Sequence, residues 1–184
     1  VLGYLAALDA KHADALVREQ YATADNMTDT LAALQVANGY LLPCRAALLA
    51  DFEGKWAHDG LVLDNWLRLV GSKPAADVLD EVKQAMAHPT FSIRNPNRLR
   101  ALIGSFAMNN QVQFHAVDGS GYRFLTDLLI ALNEVNPQVA SRLITPLIQF
   151  KRLDEGRKTL IRAELTSLAN LEGLARDQIG RAHV

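Results

Sequence analysis

Large apolar residues recur at three- and four-residue intervals along almost the whole chain, and proline or glycine interrupts each run before it grows long. Leu99, Leu102, Ile103 and Phe106 fall at i, i+3, i+4 and i+7, and the sets Leu79, Val82, Met86 and Ile161, Leu165, Leu168 follow the same rule. At about 100° per residue, that spacing gathers the apolar groups onto one stripe of a helix. Only TFSI, at Thr90 to Ile93, alternates like a strand, and it is too short and isolated to found a sheet. The expected class is all-α.

Pro43, Pro74, Pro96 and Pro137 each stand before an amphipathic run. Proline in the first turn of a helix loses no hydrogen bond, because its N–H would have had no partner there. Asn95 and Asn136 directly precede two of these prolines and are N-cap candidates. Gly60, Gly71, Gly119 and Gly173 lie between runs. The punctuation divides the chain into roughly ten helices of about 8 to 18 residues, joined by turns short enough to make successive helices antiparallel neighbours. This alternation resembles a stack of helix pairs, although no residue-level repeat signature is present; a compact bundle is the competing architecture. No Pro- or Ser-rich linker divides residues 1–184, which are read as a single domain. The chain opens inside an apolar helical pattern, VLGYLAALDA, with no cap before it. It reads as a piece cut from something longer.

A chain of 184 residues can bury enough interior to stand without metal or disulfide staples. With 19 Lys plus Arg against 20 Asp plus Glu, no overall field draws it to polyanions, so nucleic acid is not an expected partner. Cys44 is the only cysteine, which excludes an internal disulfide and fits a small buried thiol in a reducing, cytoplasmic compartment. The apolar opening lacks the basic start of a signal peptide, and no stretch approaches the ~20 apolar residues that span a bilayer. No membrane partner is expected.

No reaction centre is legible. None of the five histidines begins H-E-x-x-H, and no two stand four apart on one helix. G-x-S-x-G is absent, and Ser105 and Ser141 sit inside helical runs. Asp77 with Asp80, and Asp154 with Glu155, read as first-turn acids that favour the helix dipole. From Arg142 to Arg162 there are six cations against two acids, a segment able to touch phosphate, though its interspersed Leu and Ile fit a helix face with snorkelling cations. Trp56 and Trp66 read as core anchors.

Between Phe114 and Leu143 a DGSG turn, Asp118 to Gly121, separates two apolar runs. Calcium-loop spacing fails after Ser120, where Tyr122 and Phe124 replace the oxygens, and the turn lacks a phosphate loop's lysine. Asp118 or Ser120 is expected to cap a helix that buries Phe124, Leu125, Leu128, Leu129 and Leu132. After Asn136-Pro137, Val139, Ala140, Leu143, Ile144 and Leu147 share one side of the next helix, which Pro146 should kink. Gln138, Arg142, Thr145 and Gln149 form a polar stripe on the other side. Two amides, a hydroxyl and a guanidinium make a hydrogen-bonding surface unlike the Lys/Glu mixture of a helix facing bulk water.

The stretches ADNMTDTLAAL, LPCRAAL, HDGLVLDNW, NPNRLRALIGSFAMNN and FHAVDGSGYRFLTDLLIALNEVNPQVASRLITPLI closely resemble the C-terminal helical domain of bacterial aminopeptidase N, the zinc-dependent alanyl aminopeptidase family. The resemblance runs from about Ala24 to Arg157 and is densest after Asn95. It implies a right-handed superhelical stack of antiparallel helix pairs, of the armadillo/HEAT kind, lacking its first helices here. In such an enzyme a separate upstream domain carries H-E-x-x-H, the zinc ligands and a catalytic tyrosine, while the helical domain covers it and encloses the active site. The resemblance therefore implies no catalytic residue and no cofactor in this segment, with zinc held by the catalytic domain of the same parent chain. Short peptides would be the substrates. The family motif NPQVASR matches Asn136 to Arg142 without a gap, so Gln138 and Arg142 inherit a cavity-facing, substrate-contacting role; Arg100, from NPNRLR, does so similarly.

A rival class is a helical-repeat interaction module that binds a protein partner along a concave face, with no peptidase role. A complete gene separates the two, since the enzyme requires an upstream H-E-x-x-H. Nucleic-acid binding through the basic segment after Arg142 is a third reading, opposed by the even charge balance.

Overall fold

The computed structural model of the chain describes residues 1–170. Every regular element among them is helical. Helices α1 (Leu2–Leu8), α2 (Ala10–Thr23), α3 (Met27–Gly39), α4 (Arg45–Trp56), α5 (Gly60–Gly71) and α6 (Val78–Met86) come first. Then α7 (Pro96–Leu99) runs directly into a π-helical segment, Arg100–Asn109. It is followed by α8 (Gln111–Phe114), α9 (Ser120–Val135), α10 (Pro137–Leu143), α11 (Thr145–Ile148), a 3₁₀ turn (Phe150–Arg152) and α12 (Glu155–Ala169). The all-α expectation holds, and Thr90 to Ile93 is turn and coil.

Side-chain caps fix many of the helix starts. Asn95 Oδ1 accepts from the N–H groups of Asn97 and Arg98, and Asn136 Oδ1 from that of Val139, with Pro96 and Pro137 in the first turns. Asp9, Asn26, Asp59 and Asp154 cap α2, α3, α5 and α12 in the same way. Pro43 and Pro74 depart from expectation, since both lie in connections ahead of their helices. After Pro74 the next helix is delayed because Asn110 Nδ2 holds the carbonyls of Gly71 (3.2 Å) and Lys73 (2.7 Å). Before Pro43 the chain turns through Leu41 at φ 51° and ties the Leu42 N–H back to Ala37. Gly60 and Gly71 are the first and last residues of α5 rather than linkers; Gly173 lies outside the described residues.

Two apolar clusters form the interior. One gathers Ala6, Ala13, Val17, Leu34 and Phe52 from the first four helices; the other surrounds the π-helical segment and takes Leu125, Leu129, Leu143, Leu147, Ile161 and Leu165. Helix α5 serves both, with Leu69 in the first and Leu67 and Val70 in the second, and Trp66 packs against each. The expected stripes are buried, except that Phe124, Leu79 and Met86 are half-buried at the margin of the second cluster.

The segment after Leu99 differs from its expected α-geometry. Its ladder joins residues five apart, as in the bond from the Asn110 N–H to the Ser105 carbonyl (3.1 Å). Ala101 through Ala107 are buried without exception, while Arg100, Met108 and Asn109 at its two ends are exposed. Helix α5 lies against it at Gly71, where a Cβ would strike the Leu102 carbonyl oxygen. Two ion-pair sets fasten the same region. Buried Asp64 of α5 takes Arg98 of α7, and Arg45 of α4 grips Glu81 of α6 through both terminal nitrogens (3.2 and 2.7 Å) while its Nε bonds Asn38 (2.8 Å). Lys73 adds bonds to Glu81 (2.5 Å) and Asp77 (2.6 Å). Burial pushes the Glu81 carboxyl up, but the Arg45 and Lys73 bonds outweigh it and hold the group below its ordinary value.

Leu128→Ala is expected to lose about 2 to 5 kcal/mol of stability, as a core deletion that leaves a void. Gly71→Ala should lose about 1 to 3 kcal/mol by overpacking, despite alanine's better helix propensity. Urea denaturation midpoints check both, and unmoved midpoints would contradict the packing.

Candidate functional site

The Asn136 cap starts α10, and Pro146 stops it early: the helix ends at Leu143, and α11 resumes with Pro146 in its first turn. The expected kink is present. Ala140, Leu143, Ile144 and Leu147 turn inward, and Val139 is half-buried. Gln138, Arg142 and Gln149 are exposed and Thr145 is half-buried, so the polar stripe lies on the outer face.

That face and the π-helical segment form the two walls of a crease with two adjoining cavities. The first, about 470 Å³, is lined by Arg100, Gly104, Met108, Val139 and Arg142 among others. The second, about 380 Å³, takes Met108, Gln111, His115, Thr145, Gln149 and Arg152. Met108 belongs to both. A Cβ at Gly104 would meet nothing within 4 Å, so the missing side chain leaves room in the first cavity. Arg100 and Arg142 thus meet in one cavity, and neither guanidinium has an ion-pair partner among the described residues. Gln138 lies one turn before Arg142 on the same face but lines neither cavity; its carbonyl accepts from Ser141 Oγ (3.0 Å).

Cations at Arg100, Arg142 and Arg152, amides at Gln111 and Gln149 and a hydroxyl at Thr145 line the crease, with no carboxylate among its described lining residues. Its guanidinium and amide groups offer donors to anionic or carbonyl oxygens, while the Thr145 hydroxyl donates to the Arg142 carbonyl (2.8 Å). His115 sits at its edge. Its Nδ1 pairs with the hydroxyl of fully buried Tyr122 (2.8 Å), and its carbonyl accepts from Arg157 Nε (2.5 Å). Burial, and then the nearby Arg157 charge, push the imidazole pKa down, so the ring is neutral near neutral pH.

The DGSG turn joins α8 to α9, with Gly119 rather than Asp118 or Ser120 at the N-cap and no side-chain cap bond. Asp118 Oδ1 accepts from the N–H (3.0 Å) and hydroxyl (2.8 Å) of Ser120, while Gly119 takes φ 69°, a conformation open to glycine. Cys44 is a buried free thiol whose pKa burial, with Asp14 beside it, pushes up to about 12. In the basic segment, Arg157 pairs with Asp154 and Lys158 with Glu155, within one helical turn. Among the described residues no group of three or more His, Cys, Asp or Glu is placed to hold a metal ion, so they do not fit the zinc implied for the parent enzyme. None of their helices is long and apolar enough to cross a membrane.

The sequence singled out Arg100, Gln138 and Arg142 but missed Gly104 and Met108. Gly104 reads as an ordinary helical glycine, and only the π-winding and the empty space beside it mark its use.

Short helices stacked on their neighbours in sequence, with a crease running beside a central helix, define an armadillo-type repeat protein. Residues 1–181 match the family described as "Domain of unknown function (DUF3458_C) ARM repeats", and the chain belongs to it. It is similar to aminopeptidase N of Haemophilus influenzae, 57% identical over 162 residues, covering 88% of this chain and 19% of that protein. Against aminopeptidase N of Escherichia coli it is 50% identical over 176 residues, 96% of this chain and 20% of the relative. A crystal structure of Legionella pneumophila aminopeptidase A in complex with aspartic acid superposes with a TM-score of 0.92 at 27% identity, over 99% of this chain and 21% of that one. The chain thus spans about a fifth of the length of these relatives.

A histidine whose folded pKa lies below its unfolded value contributes stability that is fully present above about pH 6.5 and is lost as pH falls toward the folded pKa. Replacing it, as in His115→Gln, should therefore flatten the loss of stability between pH 7.5 and 5.5 relative to the parent protein. Unfolding free energies measured at both pH values check this, and an unchanged difference would count against a neutral His115.

Proposed function

We propose that residues 1–184 are the non-catalytic helical domain of a cytoplasmic zinc-dependent aminopeptidase, closing the active-site cavity over the catalytic domain of the same parent chain and controlling the entry of short peptides. The parent reaction is hydrolysis of the N-terminal residue from a peptide, and its metal chemistry belongs to residues outside this chain. Of the observations supporting the reading, the convergence of two uncommitted arginines, Arg100 and Arg142, on one cavity that Gly104 leaves open carries the most weight. The 50–57% identity to named aminopeptidases N supports the parentage.

In this reading Arg142 and Arg100 hold peptide oxygens by charge-assisted hydrogen bonds. Gln138, one turn away from Arg142, extends the donor surface at the cavity mouth. Val139 and the open space at Gly104 admit the peptide's apolar parts, so selection is by size before it is by chemistry. Enclosing the reaction excludes folded proteins and replaces water around the substrate with fixed protein dipoles.

Kinetics of the complete enzyme test the proposal. Arg142→Ala is expected to lower kcat/KM for peptides by about 1 to 3 kcal/mol of transition-state binding, with the melting temperature unchanged. Gly104→Leu should extend into the open space beside its Cβ and reduce turnover of longer peptides more than that of an alanyl anilide. Unchanged kinetics in both variants would remove the crease from the peptide's path. The isolated chain supplied with zinc is expected to leave the anilide intact, and turnover by it would overturn the division of labour.

A further inference from the structure

A third cavity, about 360 Å³, lies between α4, α5 and α6, outside the crease. Its volume falls within the range of small-molecule sites. Alanines 46, 50 and 85 leave its floor unfilled, and Leu49 and Val70 make its sides apolar. Trp66 forms one wall, its indole 5.3 Å from the His88 ring.

The charges around this cavity do not cancel. At one end Arg45 and Lys73 are matched by Glu81 and Asp77 in a closed network. At the other end the one described partner of Glu53 is His88, whose Nε2 lies 3.0 Å from Glu53 Oε1. The Thr90 backbone N–H reaches His88 Nδ1 at 3.3 Å, and the Thr90 hydroxyl lies 2.7 Å from it. A backbone N–H can only donate, so Nδ1 accepts and the ring proton sits on Nε2, pointing at Glu53. The Nε2–H then donates to Glu53 Oε1, and Glu53 Oε2 has no hydrogen-bond partner among the described residues. Other cations on these helices are turned elsewhere: Lys55 pairs with Asp51 (2.7 Å), Arg68 bonds Asn65 (2.7 Å), and Lys83 lines a different cavity with Asp127.

We infer that this cavity binds an organic monocation of the alkylammonium type, its stem on the alanine floor and its charge between the Glu53 carboxylate and the Trp66 indole. Carboxylate and aromatic face act together on one cation, and the neutral network at the far end neither repels nor competes. The site does not depend on the peptidase reading.

Fluorine NMR of the full-length chain carrying 5-fluorotryptophan tests it, with the Trp66 resonance assigned through Trp66→Phe. Titration with n-butylammonium should move that resonance to saturation, whereas n-butanol, with the same stem and no charge, should bind at least about ten-fold more weakly. Glu53→Gln keeps an acceptor for His88 Nε2–H and should abolish the preference while leaving the ligand-free spectrum folded. Equal binding of the two probes, an unmoved Trp66 resonance, or a preference that survives in Glu53→Gln would each overturn the site.

Discussion

The close approach of α5 to the π-helical segment at Gly71 is the contact on which the rest of the structure depends. With no side chain between them, the two backbones meet, and the segment can be buried along its whole middle, from Ala101 to Ala107. Helix α5 is left with residues for both apolar clusters, joining the first four helices to the later ones. Asn110 and the Asp64–Arg98 pair then lock the ends of the contact. Replacing a buried ion pair by apolar groups is often neutral, but removing one partner is costly, so such a pair constrains which packing is permitted more than how stable it is.

A spine fixed in this way presents Arg100, Gly104 and Met108 toward α10 and α11. The kinked pair supplies the other wall from its polar side, while its apolar side belongs to the core. The crease is thus bounded by two elements whose buried faces are already committed, and its exposed faces are free to vary in chemistry without disturbing the fold. Among the described residues its cations lack acidic partners, in contrast to the Arg45, Lys73, Glu81 and Asp77 set, where every charge is answered.

The features legible in the sequence were local. Asn95 and Asn136 cap as their positions before proline predict, Pro146 breaks its helix, and the stripe from Leu125 to Leu132 is buried, because each depends on residues within a turn or two. The polar stripe through Arg142 was legible for the same reason. The opposite wall of the crease was not. Whether residues 100 to 109 wind as α or π depends on what encloses them, and the enclosing contacts come from Gly71 and from Asn110 reaching back 37 and 39 residues. Pro74 was misplaced through that same reach. His115 gains its character from Tyr122, seven residues on, and from Arg157, which is 42 residues away.

A ladder whose rungs join residues five apart also sets a rule about chain length. Dropping one residue between Arg100 and Asn109 would let the coil tighten to the common pitch, turning the chain on one side of the gap by about 100° against the chain on the other. Arg100 and Met108 would part company even though neither had been altered. Exchanging a side chain along this spine keeps Arg100 and Met108 on one wall, whereas removing a residue from it does not.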